Sequence, residues 1–491
     1  MNKKKRTNRQ ITIDEERLKK IIIKYYRNKK YELALKYIDF YGKFMYEINQ
    51  KYVDNDIEEI LKDISQKLCF DIKVKKEQSN TVLFFDSFGF DKRGLASIYL
   101  YGLINQGMKV IYICPVHRKN EIPHISKLIL SAEGEIRYIE GKNKIEDIKK
   151  TVSIINEYNI GHFFLYIKPN DVVPVVTSIL FENKINRYLI NLTDHAFWLG
   201  SMAFDYIIEF RDYGAYISLK ERRIEENRIV KLPYYPQIDT SINFQGFPFD
   251  STDKQVIFSG GSLYKTIGDG DKYYLLVKKI LERTSKVIFL YAGTGNGSKL
   301  EELKSLFPDR VYWIAERSDL YQVMRHADLY LNTYPMAGGL MTQYAAIAGT
   351  PPLTLVYDEC GKGFLIDEEK LGCDFYDVEE LVDYAITLLN NNSEMNKVRK
   401  LLAGQVISQM EFESELEQIL RRGKSKFEIN FVPVETKNFR ETYLERLNIR
   451  NYLMLWFNID RTYIMKKFPV RFILGGCLKS FNELKRIINN I

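Results

Sequence analysis

The feature that most constrains this chain is an alternation that runs twice. From residue 80, short apolar runs rich in β-branched and aromatic residues recur at 81–85, 109–114, 135–139, 161–167, 187–192 and 205–210, with turns and helical stretches between them. A polar segment with Pro and Gly, 236–253, interrupts the pattern. It then restarts with runs at 255–259, 287–292, 311–314, 329–331 and 352–356. Strands that are apolar throughout, rather than on alternate residues, are buried on both faces. Strand–helix alternation places such strands in a parallel sheet with helices on either side. The expected fold class is α/β, with two doubly wound domains at 76–245 and 246–425. In such sheets the turns at the carboxyl ends of the strands form the ligand crevice.

The flanks read differently. Residues 1–75 carry apolar residues at helical spacing in 21–26, 31–41 and 57–68, which predicts a helical cap on the first domain. Residues 426–491 form a helical, basic tail. Arg440, Arg446, Arg450, Arg461, Lys466, Lys467, Arg471, Lys479, Lys485 and Arg486 outnumber its acids, with Leu453, Leu455, Trp456, Phe457, Phe472 and Ile473 among them. Such a tail either packs back across the first domain or lies on an anionic membrane face.

Composition narrows the classes. The net charge of +8 permits anionic partners such as nucleotides, but it is not gathered into arginine-rich arms, so nucleic-acid binding is not expected. Five scattered cysteines without a CxxC pair argue against a disulfide framework or structural zinc, and for a reducing compartment. The basic start lacks the apolar core of a secretory signal. No run reaches the roughly 18 apolar residues that span a bilayer. The expected location is cytoplasmic, peripheral on the inner face of the plasma membrane where the tail makes contact.

Three glycine-bearing loops in the second domain fall between a strand and a helix. They are Ser259-Gly260-Gly261-Ser262-Leu263-Tyr264-Lys265, Ala292-Gly293-Thr294-Gly295-Asn296-Gly297 and Tyr334-Pro335-Met336-Ala337-Gly338-Gly339-Leu340-Met341-Thr342. A diphosphate requires backbone N–H donors and a positive dipole end, and a helix N-terminus supplies both. Gly338 and Gly339 would open such a helix, running on through Gln343 to Ala348. A plain turn at these glycines is the alternative.

Two successive Rossmann-like domains joined by a linker are the plan of the GT-B fold. The run Ala327-Asp328-Leu329-Tyr330-Leu331-Asn332-Thr333-Tyr334-Pro335, with Gly338 and then Ala348-Gly349-Thr350-Pro351, resembles the donor segment of O-GlcNAc transferase-like enzymes. Ser262-Leu263-Tyr264-Lys265 is similar to their Leu-Tyr-Lys turn. The resemblance implies a nucleotide-sugar donor, a UDP-sugar in the first place, with Lys265 at the diphosphate and Ala315 and Arg317 at the base. Gly260, Gly261, Pro335, Gly338, Gly339, Leu340, Met341, Thr342 and Gln343 complete the implied donor site. The chain departs from that family where Gly339, Leu340 and Met341 replace a polar triplet, and where Tyr344 falls at the ribose-contacting acid.

On the first domain, Asn191-Leu192-Thr193-Asp194-His195-Ala196-Phe197-Trp198-Leu199-Gly200 follows a predicted strand, and it resembles a segment of bacterial surface-glycan and adhesin glycosyltransferases. Inverting sugar transfer needs a base for the acceptor hydroxyl, and a histidine titrating near neutrality suits it. His195 is the first candidate base and Asp194 the second. Trp198 and the loop at 86–94, with Asp86, Ser87 and Arg93, are expected on the acceptor side. No metal site is expected: Asp269-Gly270-Asp271 lies in a polar loop, and Lys265 with a helix terminus can neutralise a leaving diphosphate without a cation or other cofactor.

The resulting expectation is a glycosyltransferase of the hexosyltransferase type, moving sugar to a hydroxyl of a glycan, a lipid-linked precursor or a protein. Surface polysaccharide biosynthesis and protein glycosylation are the processes in view. Two rivals stay open: a nucleotide-sugar epimerase, and a non-catalytic GT-B partner subunit that binds an acceptor protein.

Overall fold

The computed structural model describes residues 2–73, 79–91, 95–447, 449–457 and 462–488. Two all-parallel sheets organise the chain. The first holds β1 (Thr81–Asp86), β2 (Lys109–Pro115), β3 (Glu135–Ile139), β4 (His162–Tyr166), β5 (Asn186–Asn191), β6 (Tyr206–Glu209) and β7 (Ile229–Lys231), in the order β3-β2-β1-β4-β5-β6-β7. The second holds β8 (Gln255–Gly260), β9 (Val287–Ala292), β10 (Val311–Ile314), β11 (Leu329–Leu331), β12 (Pro352–Leu355) and β13 (Asp374–Phe375), in the order β10-β9-β8-β11-β12-β13.

The reason for the sheets is visible in single strands. Along β1, Leu83 and Phe85 enter one core while Val82 and Phe84 enter another. β8 and β9 divide in the same way: Ile257 and Phe289 face one side, Val256 and Leu290 the other. A strand with two apolar faces needs helices on both, and the intervening helices supply them.

The flanks complete the first domain. Helices Asn2–Arg27, Tyr31–Ile48 and Asn55–Lys67 share the core of β1 and β2. The tail joins them, because Tyr452, Trp456, Ile464 and Phe468 are buried in the same core. Tyr37 donates to the carbonyl of Tyr463 at 2.7 Å, and Arg471 pairs with Asp14 at 2.6 Å. The tail therefore packs back across the first domain. Arg461 lies outside the described residues. Helix Gln409–Arg422 follows the second sheet in sequence but packs on the first: Phe412, Leu416 and Ile419 lie in one core with Phe84 and Tyr112. Among the described residues no helix is long and apolar enough to cross a membrane.

Candidate functional site

In a parallel open sheet, the crevice lies where the strand order reverses direction. In the second sheet that point falls between β8 and β11. The loop after β8 carries Gly260, Gly261 and Lys265; the loop after β11 carries Asn332, Pro335, Gly338 and Gly339. The topology thus brings the first and third glycine loops together, and the hydrogen bond from Met336 N to the Lys265 carbonyl, 3.3 Å, ties them.

Each loop has a local cause. A β-carbon at Gly293 would overlap the Gly261 carbonyl oxygen, so the second loop can lie against the first only with glycine there. The third loop is built on Asn332, which is buried. Its Oδ1 accepts from Gly338 N at 2.8 Å and from Thr333 N at 3.0 Å, while its Nδ2 donates to Thr342 Oγ1 at 3.0 Å. This fixes the start of helix Gly339–Ala348, which Gly338 precedes in extended conformation. The first-turn N–H groups of a helix have no intrahelical acceptor, here those of Gly339, Leu340 and Met341. A β-carbon on Gly338 would stand 3.7 Å from Lys265 Nζ. The ammonium group therefore lies beside the start of the helix. Burial lowers the Lys265 pKa. Among the described residues no carboxylate pairs with it.

Other expected donor residues fall elsewhere. Side chains of Leu340 and Met341 pack into the cores on either side of the helix, and Met341 lies against Gly260. Thr342 is buried and donates to the Gly338 carbonyl at 3.1 Å. Gln343 is buried and donates to the Tyr234 carbonyl at 2.9 Å. These four side chains turn inward because the helix is sandwiched between domains, so only first-turn backbone groups are left for a ligand. A β-carbon on Gly339 would overlap Phe364, whose ring covers that position. Ala315 is exposed just beyond β10. Arg317 is engaged: it pairs with Asp319, Nε to Oδ1 at 2.7 Å, and donates to the Gly246 carbonyl at 2.6 Å. Tyr344 donates to the Gln237 carbonyl at 2.8 Å.

On the first domain, the turn after β5 is clamped from two sides. Asn49 donates to the His195 carbonyl at 2.9 Å and accepts from Phe197 N at 3.0 Å. Arg222 donates to the carbonyls of Asp194 at 3.0 Å and Ala196 at 2.7 Å. His195 Nδ1 meets Asp194 Oδ1 at 3.1 Å, with about a fifth of the imidazole exposed (21%). Asp194 is fully buried and held by Arg211, Nε to Oδ2 at 2.6 Å. Burial would raise its carboxyl, but Arg211 and His195 outweigh that and hold it below the usual carboxylate range. Both Asp194 oxygens are thus engaged by Arg211 and His195, an arrangement poorly suited to a proton acceptor.

The structure corrects the rest of the acceptor side. Trp198 is buried in the first core, its ring 4.5 Å from the Arg222 guanidinium carbon, so no sugar can stack on it. The loop after β1 spends its polar groups internally. Asp86 accepts from Tyr112 at 2.5 Å and from Arg118 at 2.9 Å, and Ser87 Oγ accepts from Lys168 N at 3.0 Å. Arg93 lies outside the described residues. Among the described residues of this loop the one most exposed is Phe90, at 68%. Among the described residues no three metal-ligating side chains converge. Asp269 is instead bonded by Tyr334 and Lys272, and Asp271 by Lys299.

Two residues escaped the sequence reading. Arg211 spans the domains: besides Asp194, it donates to the carbonyls of Cys360 at 2.7 Å and Lys362 at 2.5 Å, and it stacks 4.5 Å from the Phe364 ring. It links the histidine turn to Phe364, which covers the start of helix Gly339–Ala348. Asp358, beyond β12, is buried with Oδ2 unpartnered. Burial pushes it up to about 7, against the Cys360 N–H and the Arg211 charge. No periodicity marks either residue; a lone acid or arginine after a strand looks like any loop residue.

No family model matches the chain, and no curated protein does. Solved structures do. A mutant of the Thermobaculum terrenum O-GlcNAc transferase aligns over 84% of this chain and 79% of its own, at 13% identity and TM-score 0.51. A putative UDP-N-acetylglucosamine 2-epimerase from Listeria monocytogenes aligns over 72% of this chain and all (100%) of its own, at 12% identity and TM-score 0.51. Anabaena HepE in complex with UDP-glucose aligns over 70% and 99%, at 12% identity and TM-score 0.51. Together with the two parallel sheets and their crevice, these likenesses establish the class: the chain has the GT-B fold.

Proposed function

We propose that the protein is a glycosyltransferase that takes a UDP-sugar in its second domain and delivers the sugar to a hydroxyl of a glycan, a lipid-linked precursor or a protein. The observation that carries this reading is the ammonium group of Lys265, with which no carboxylate pairs among the described residues and which lies against the start of helix Gly339–Ala348. A partly buried cation left without a counter-charge is costly unless a ligand supplies one. A diphosphate would, and the first-turn N–H groups would share its charge. The names of the structural neighbours, an O-GlcNAc transferase and a protein bound to UDP-glucose, support a UDP-sugar as donor.

His195 is the proposed base. Asp194 accepts from Nδ1–H and so leaves Nε2 as the proton acceptor for the incoming hydroxyl. Arg211 acts as a positioning residue, holding Asp194 and the loop at 360–364 in one frame. Transfer then proceeds with inversion, the leaving diphosphate being stabilised by Lys265 and the helix start rather than by a metal.

The Listeria neighbour favours a second reading, a nucleotide-sugar epimerase. One experiment separates the two. The protein is incubated with UDP-N-acetylglucosamine or UDP-glucose, with and without a hydroxyl acceptor, and the products are resolved by mass and by NMR. UDP release that requires an acceptor supports transfer. A changed sugar stereocentre without acceptor, and no transfer product, would replace it by epimerisation.

A further inference from the structure

The terminal helix, Pro469–Ile488, has one face that is accounted for and one that is not. On the inner side Phe472 packs on Phe457 at 5.2 Å between ring centroids, and Arg471 is spent on Asp14. A β-carbon on Gly475 would overlap the Leu453 carbonyl, so this helix crosses Ile449–Met454 at backbone contact. The outer side carries Val470, Ile473, Leu474, Cys477 and Phe481, all exposed. Their spacing of three, four, seven and eleven from Val470 puts them on one stripe of a helix. At 1.5 Å per residue the stripe is about 16 Å long. Val470 is 66% and Phe481 63% exposed, and Met465 on the preceding helix is exposed near its start. Isolated apolar side chains on a surface are ordinary; a continuous stripe marks a contact.

Charge says what the contact is with. From Lys437 to the end of the sequence there are eleven Lys and Arg against four Asp and Glu, so this segment holds +7 of the chain's +8. A protein partner or a second copy of this basic segment would have to absorb that excess. An anionic lipid surface takes both the apolar stripe and the charge, since an amphipathic basic helix buries its apolar side at the headgroup boundary while its cations meet lipid phosphates. We infer that the stripe from Val470 to Phe481 is a docking face for an anionic bilayer. The helix lies in the plane of the interface, and the rest of the tail, packed on the first domain, holds that domain against the membrane. The inference does not depend on the reaction assigned above.

The test is flotation of the full-length protein with vesicles of phosphatidylcholine alone, or of phosphatidylcholine mixed with phosphatidylglycerol. The wild type should float with the mixed vesicles, less so at high salt, and stay behind with the neutral ones. The double variant Ile473→Asp, Phe481→Asp should lose about 100-fold or more in partitioning, given the transfer energy of two large apolar side chains. Both are exposed, so its melting temperature and UDP titration should match the wild type, which separates this result from a failure of the donor site. Lys466→Glu, a single exposed charge, should weaken flotation without touching the stripe. Equal flotation of wild type and double variant overturns the proposal. So does absence of flotation with a concentration-dependent dimer that the double variant breaks, which would assign the face to a second copy.

Discussion

The two sheets end in crevices of opposite character. Among the described residues after β1 and β5, polar side chains are already engaged: Asp86 has Tyr112 and Arg118, Ser87 has Lys168, and Asp194 has Arg211. After β8 and β11 the bonds stop short. Asn332 satisfies the loop, yet among the described residues no carboxylate pairs with Lys265 Nζ, and the first-turn N–H groups have no intrahelical acceptor. A polar residue at a strand end becomes a binding group only when the fold leaves its hydrogen-bonding capacity unused. By that measure the proposed anion site belongs to the second domain, while the first would hold one histidine in place.

That contrast breaks most visibly at His195. If the first domain contributes a base, His195→Ala should lower turnover by about 10²–10⁴-fold, the usual worth of a general base, while donor affinity stays as it was. Steady-state rates and UDP titration of the variant decide it; unchanged turnover removes the histidine from the mechanism. Next in size is the frame behind it. Asp194→Ala leaves Arg211 buried without its carboxylate and should cost about 3–5 kcal/mol of stability, read by urea unfolding. A small loss would mean that the Cys360 and Lys362 carbonyls suffice to hold the guanidinium.

Lys265 should behave in the opposite sense. Lys265→Met removes a partly buried cation that nothing neutralises, so stability should hold or rise slightly in a thermal melt, even as ligand binding suffers. The smallest effect concerns Asp358. Its carboxyl is raised from 3.8 to about 7, so the folded state favours the protonated form. The stability tied to that proton is complete at low pH and is lost as pH rises through about 7. Asp358→Asn cannot ionise, so its melting temperature should fall less than that of the wild type between pH about 5 and about 8. Parallel pH dependences would contradict the assignment.

The sequence revealed the sheets more completely than the site. Long apolar runs such as the one at 287–292 coincide with their strand, because burial on both faces leaves no polar position to confuse the pattern. β7, with three residues, and β13, with two, are too short to show any period. Helix Gln409–Arg422 lies in the stretch assigned to the second domain yet packs on the first, since amphipathicity does not say which core a face will meet. In the site, the glycines were readable because close approach of backbones demands them. The roles of Trp198, Arg317 and Gln343 were not, because a polar or aromatic residue beside a crevice has the same local pattern whether it points in or out. Arg211 acts across 149 residues of sequence on Cys360, a distance that no motif encodes.

The central claim is that the second domain binds a nucleoside diphosphate through Lys265 and the start of the adjoining helix. It is tested most directly by calorimetric titration of UDP, with GDP alongside, into the wild type and Lys265→Ala. Saturable UDP binding that weakens by about 10–100-fold in the variant is expected, as for a lost hydrogen bond to a charged group. Binding of equal strength in both proteins, or none in either, would contradict it.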